Sequence, residues 1–254
     1  MKFVSRTIPH SGGYNTAQLA AELGSSPDSN RDCPGVHTRD LKDFIMGLIQ
    51  LLIKDPPAFV ILSVLLLYSV IFHELAHGWI AYKMGDPTAK WLGRLTLNPV
   101  KHLDPFGSLM LLIVGFGWAK PVPVNLENIP ADKRRKGLIL VSAAGITANI
   151  ICAFTALLLF RLISPEPSGM VEQILFLLAR INLILAAFNL IPIPPLDGSK
   201  ILMGFAPESV IRVFHQIEPF GFFIIIGLLF LGALDPVINL FQHIILALIS
   251  VFLP

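Results

Sequence analysis

Six stretches of this chain carry no charged side chain: Pro56–Phe72, Pro105–Ala119, Gly137–Phe160, Ile181–Leu196, Pro219–Leu234 and Pro236–Pro254. A membrane-crossing helix needs about 20 mostly apolar residues. Pro56–Phe72 and Gly137–Phe160 reach that length once their flanks are included. Pro105–Ala119 is shorter and contains glycines, which predicts a re-entrant hairpin or half-span. The last two runs are broken by Asp235-Pro236 and predict either two short spans or one kinked one. The pattern predicts an all-α polytopic membrane protein, a bundle of about four to six transmembrane segments.

The rest of the chain reads differently. The first forty residues contain Ser11-Gly12-Gly13 and Ser25-Ser26-Pro27-Asp28-Ser29-Asn30, the composition of loop or disorder. No apolar segment follows Met1-Lys2, so no cleavable signal peptide is expected. Leu41–Ile53 is apolar but too short to span, which suits an interfacial or re-entrant amphipathic segment. These shifts divide the chain into a disordered segment (1–40), an interfacial segment (41–55), a membrane core (56–206) and C-terminal membrane segments (207–254). Trp91–Leu97 and Pro121–Asn125 look extended, predicting a short β-hairpin or re-entrant element after the Pro56–Phe72 span.

Composition sharpens the class. Of 254 residues 54% are hydrophobic and 14% charged, against about 25% charged in soluble domains. Nine Lys/Arg residues fall between Lys83 and Lys136, ending in Lys133-Arg134-Arg135-Lys136, whereas Glu166 and Glu172 lie between Arg161 and Arg180. By the positive-inside rule, 83–136 is cytoplasmic and 161–173 outside. The basic tetrad suits anionic lipid headgroups and not nucleic acid. Cys33 and Cys152 are too few for a disulfide framework or a cysteine metal site.

Chemistry enters with His73-Glu74-Leu75-Ala76-His77, which continues the first apolar run without a break. Residues four apart on a helix lie about 40° apart around the axis and about 6 Å along it, so both imidazoles can reach one metal ion. The glutamate between them can handle a water molecule, as in zinc hydrolases. The pattern also occurs by chance in soluble helices, but ionisable groups in a bilayer are costly and mark function. The positive-inside orientation places His73 and His77 in the cytoplasmic half.

A catalytic zinc needs a third protein ligand. His10, His37, His102, His215 and His243 lack a paired ligand motif. Asp197 stands out as an acid at the end of an apolar run, after Pro192, Pro194 and Pro195 have opened the helix. Freed backbone at membrane depth must line a cavity or be buried in protein. The alternative is that Asp197 caps a short helix starting near Gly198.

These residues resemble the site-2 protease family, the zinc intramembrane metalloproteases of peptidase family M50. His73-Glu74-Leu75-Ala76-His77-Gly78 is similar to the family's first motif, and Asn189-Leu190-Ile191-Pro192 through Leu196-Asp197-Gly198 to its second. Asn98-Pro99, His102, Asp104-Pro105 and Gly107 resemble the stretch after the metal helix. Ala144-Gly145-Ile146-Thr147-Ala148-Asn149 departs in having Ile146 where proline is usual, and Ser199 stands where another glycine often follows. The resemblance covers roughly residues 57–205. It implies His73, His77 and Asp197 as ligands of one Zn²⁺ per chain, Glu74 as general base and a transmembrane protein as substrate, in a prokaryotic plasma membrane. No loop is long enough for a PDZ insertion. Asn149 and Asn189 are the candidate oxyanion donors, the alternative being interhelical hydrogen bonds. The predicted extended segments could add a strand to an unwound substrate, or form a simple membrane-surface hairpin. Rival readings are a metal-binding transporter or a catalytically silent membrane scaffold. A transporter has no use for Glu74, and a silent scaffold typically loses one of the four residues.

Overall fold

The computed structural model describes residues 51–107, 109, 119–163 and 169–253. The expectations for the first forty residues, most of Leu41–Ile53 and most of Pro105–Ala119 fall outside the described residues. The helices are α1 (Pro56–Met84), α2 (Thr88–Trp91), α3 (Arg134–Ile163), α4 (Met170–Asn189), α5 (Asp197–Phe205), α6 (Glu208–Phe230) and α7 (Asp235–Phe252). Five of them, α1, α3, α4, α6 and α7, are long and apolar enough to cross a membrane. The last two apolar runs are separate helices, joined by a turn in which Gly232 takes φ 66°.

Local chemistry sets the ends of α1. The Asp55 carboxylate accepts from the Ala58 N–H at 3.1 Å, and Pro56 occupies a first-turn position where no N–H is needed. At the other end Gly85 takes φ 112°, its N–H donates to the Tyr82 carbonyl, and the Asp86 N–H donates to that of Ala81. This is a Schellman termination, which needs the left-handed residue that glycine supplies without strain.

The packing stripe on α1 is inverted relative to a soluble helix. Ser69, His73, His77 and Ala81, four residues apart, are buried. Val60, Val64, Tyr68 and Phe72, at the same spacing, are exposed, as is Trp79. In lipid the apolar face needs no cover, and small or polar residues make the helix interfaces. The facing stripe of α3 obeys the same rule, with Gly137, Ser142, Gly145, Asn149, Ala153 and Ala156 buried. Helix α3 is the hub, packing against α1, α4 and α5, while α7 packs on α4. Leu157 and Phe160 of α3, Leu183 of α4 and Ile245 and Ile249 of α7 share one apolar cluster. Ile146 belongs to that cluster, and α3 runs through it unbroken.

The expected β-hairpin is corrected: among the described residues there is no strand. Trp91 closes α2, and Gly93 (φ 60°) with the Arg94 N–H on the Ala89 carbonyl turns the chain away. Pro121–Asn125 forms neither helix nor strand, and Pro121 and Pro123 have no N–H to offer a ladder. The Val122 and Asn125 N–H groups go instead to the carboxylates of Glu74 and Asp86. This segment is therefore a strap laid against α1.

Candidate metal centre

The site forms where α1, α3 and the start of α5 meet. His73, Glu74 and His77 occupy the third quarter of α1. After Asn189 the chain leaves the helix through Pro192, Pro194 and Pro195, and Asp197 opens α5. Leu196 takes the cap position without a side-chain bond, so Asp197 is not a capping residue. Two glycines allow the approach. A Cβ on Gly145 would lie 2.6 Å from His73 Cε1 and 2.5 Å from His77 Cε1, and one on Gly198 would lie 2.7 Å from the Ile191 carbonyl oxygen. Ser199, in place of the expected glycine, is fully buried and donates its hydroxyl to the Leu196 carbonyl at 2.6 Å.

The imidazole tautomers follow from the hydrogen bonds. His77 Nδ1 is 2.6 Å from the Val141 carbonyl oxygen, which can only accept, so Nδ1 carries the proton and Nε2 presents a lone pair. For His73 the same result comes through a chain of amides. Asn182 Nδ2 donates to the Leu178 carbonyl and to Ser69 Oγ, both at 2.9 Å. Asn182 Oδ1 then accepts from Asn149 Nδ2 at 2.8 Å, and Asn149 Oδ1 faces His73 Nδ1 at 2.6 Å as acceptor. Ser69 Oγ donates in turn to the Leu65 carbonyl at 2.7 Å. Interhelical hydrogen bonds in membranes average about 0.6 kcal/mol. The network therefore adds little to folding and much to the orientation of one imidazole.

Both Nε2 lone pairs converge on one carboxylate oxygen. His73 Nε2 and His77 Nε2 are 2.9 Å apart and lie 3.1 and 3.0 Å from Asp197 Oδ2. That oxygen is buried and accepts no hydrogen bond. Three acceptors with no donor between them repel unless a cation sits among them. Two imidazoles and a carboxylate, with zinc–ligand bonds of about 2.0–2.2 Å, are a zinc hydrolase's donor set, so these residues fit zinc. Among the described residues this is the one such cluster of metal-ligating groups. Lys200 Nζ stands 3.9 Å from Asp197 Oδ1.

Glu74 is half-buried beside the cluster, and its Oε2 accepts from the Val122 N–H at 2.7 Å. Asn189 closes α4, its Nδ2 donating to the Leu185 carbonyl at 3.0 Å. His102 is fully buried and bonds the Thr96 carbonyl, while His215 and His243 are bonded to Glu218 and to the Asn239 carbonyl. None of the three joins the cluster. Sequence reasoning missed Asn182, Ser69 and the Val122 N–H. A polar side chain four residues before His73 and an amide within an apolar run were the available signals for Ser69 and Asn182. A backbone N–H leaves no signal.

Comparison with known proteins points to one family. A family model described as peptidase family M50 matches residues 164–232, which include Asn189 and Asp197. The chain is 42% identical over 200 residues to "Putative zinc metalloprotease YwhC" of Bacillus subtilis, covering 74% of this chain and 90% of that one. It is 30% identical over 174 residues to "Putative zinc metalloprotease Rip2" of Mycolicibacterium smegmatis, 66% of each chain. It is also 28% identical over 160 residues to "Zinc metalloprotease MJ0392" of Methanocaldococcus jannaschii, 63% of this chain and 38% of that one. No solved structure gives a match. With five spanning helices, a zinc-type donor set and a relative matched over nearly its whole length, this integral membrane chain belongs to peptidase family M50, the site-2 protease family.

Proposed function

We propose that this chain is a zinc-dependent endopeptidase that cuts transmembrane proteins within or near their apolar segments. The observation that carries the reading is the convergence of His73, His77 and Asp197 on one point, with Glu74 beside it, along a spanning helix. His73 lies 17 residues from Pro56 and 11 from Met84, or ~26 and ~16 Å along α1. The basic 83–136 segment supports a site in the cytoplasmic half.

One zinc ion held by the three ligands would act as a Lewis acid toward water and the scissile carbonyl. Glu74, its Oε2 fixed by Val122, receives the attacking water's proton on its other oxygen and delivers it to the leaving amine. A helical substrate hides its peptide bonds, so it unwinds before attack. Asn149 has its amide committed to His73, Asn182 and Ser69, and we assign it to orienting His73. Asn189 is then the remaining amide for the oxyanion.

The test reconstitutes the protein in vesicles with a single-span substrate and maps the products by mass spectrometry. Cuts inside the apolar span, stopped by a chelator and restored by zinc, are expected. Cuts confined to soluble loops, or insensitivity to chelation, overturn the reading.

The Asn149 assignment has its own outcome. Asn149→Ala is expected to weaken zinc binding about 10- to 100-fold, as removal of a ligand-orienting partner does. Excess zinc should then restore most of the activity. Normal zinc affinity with a lost rate would return Asn149 to the oxyanion role.

A further inference from the structure

Asp86 lies just past the glycine cap of α1 and is fully buried, yet it takes no part in the metal centre. Its Oδ2 accepts from the Asn125 N–H at 2.7 Å. Its Oδ1 accepts from Asn128 Nδ2 at 2.7 Å, from the Thr88 N–H at 3.1 Å and from the Thr88 hydroxyl. Asn128 Nδ2 also reaches Thr88 Oγ1 at 3.0 Å. Burial works against the charged carboxylate, but the bonds from Asn128, Thr88 and the Asn125 N–H outweigh it and hold Asp86 below its ordinary value. The charged, four-fold acceptor is the form present at neutral pH.

The grip falls on the strap that supplies Glu74's partner. Residues 119–128 run past α1 with Val122 N–H on Glu74 and, three residues on, Asn125 N–H on Asp86. The upstream end is held by Arg94, whose Nη2 donates to the Lys120 and Pro121 carbonyls at 2.7 and 3.2 Å. Val122 seats its side chain against Gly78, where an added Cβ would meet Val122 Cγ1 at 2.8 Å. The strap's own sequence makes its register decisive. Pro121 and Pro123 have no N–H, so a slip of one residue in either direction sets a proline against Glu74.

We infer that Asp86 is a positioning residue for Glu74, holding the 119–128 strap in the one register that delivers the Val122 N–H to the Glu74 carboxylate. The inference rests on Glu74 being the general base. A misplacement of about 1 Å at a reacting group can cost about 100-fold in rate, so a buried anchor 12 residues from Glu74 has leverage on the chemistry without touching substrate.

The test compares wild type, Asp86→Asn, Asn128→Ala and Glu74→Gln, each purified in full length. Zinc content, kcat and KM on a transmembrane peptide, and hydrogen exchange at the Val122 and Asn125 amides are measured. For Asp86→Asn the expectation is unchanged zinc, KM within about twofold, kcat lower by about 10- to 100-fold, and faster exchange at both amides. Asn128→Ala, which removes one of the four bonds to Asp86 and spares the carboxylate, should show the same pattern at about two- to fivefold, and decides the matter if Asp86→Asn does not fold. Unchanged kcat and exchange overturn the inference, as does loss of zinc or a rise in KM alone. Activity retained in Glu74→Gln would show that the general-base reading had failed. An inactive Glu74→Gln beside normal Asp86 and Asn128 variants would show that only the positioning had failed.

Discussion

Glu74→Gln is expected to abolish peptide-bond hydrolysis while leaving zinc bound at the wild-type level. Glutamine is nearly isosteric, and its carbonyl oxygen can still accept the Val122 N–H that Glu74 Oε2 now accepts at 2.7 Å. The strap stays in place, and so do His73, His77 and Asp197, because none of the bonds that orient them involves Glu74. What is lost is the one oxygen basic enough to take a proton from water and return it to the leaving amine. General acid–base catalysis contributes about 10²- to 10⁴-fold, and one group serving both transfers should lie at the upper end. Zinc content by atomic absorption and cleavage rate on a reconstituted membrane substrate check the two halves. Full zinc with cleavage within tenfold of wild type would remove Glu74 from the mechanism.

Asp197→Ala is expected to lose zinc. Structural zinc contributes about 10–16 kcal/mol over four ligands, so one ligand is worth on the order of 10²- to 10³-fold in affinity. The change removes the one carboxylate that both Nε2 atoms face, at 3.1 and 3.0 Å, and leaves in place the bonds that orient His73 and His77. A capping aspartate behaves differently, its loss costing about 0.5–2 kcal/mol of stability and leaving zinc affinity unchanged. A zinc titration beside thermal unfolding gives the answer, and normal zinc affinity in the variant would defeat the ligand assignment.

Much of this protein can be read along the chain because membrane insertion acts on composition. A span is a count of apolar residues, and an ionisable group inside one is conspicuous wherever its partner lies. Thus Pro56–Phe72 announced α1, the i,i+4 spacing put His73 and His77 on one face, and Asp197 stood out after its prolines. The same argument failed for Trp91–Leu97 and Pro121–Asn125. Extended propensity says nothing of what the N–H groups will bind: those of Val122 and Asn125 bind side chains of α1 and its cap, and those of Gly93 and Arg94 bind carbonyls of α2, not a neighbouring strand.

What only the tertiary structure decided is who partners whom. Asn149 is an amide in an apolar helix whose partner, His73 Nδ1 at 2.6 Å across 76 residues of chain, appears only once the helices pack. Asn182 is drawn in by Ser69, 113 residues away. Glu74 is held by a backbone amide 48 residues on, and the strap bearing it is gripped by Asp86 across 39. The spans and the ligand types are properties of single residues in a solvent, and the bilayer reads them one at a time. Orientation and register are properties of pairs, and they exist only once packing has brought α1, α3, α4 and the strap within hydrogen-bonding distance.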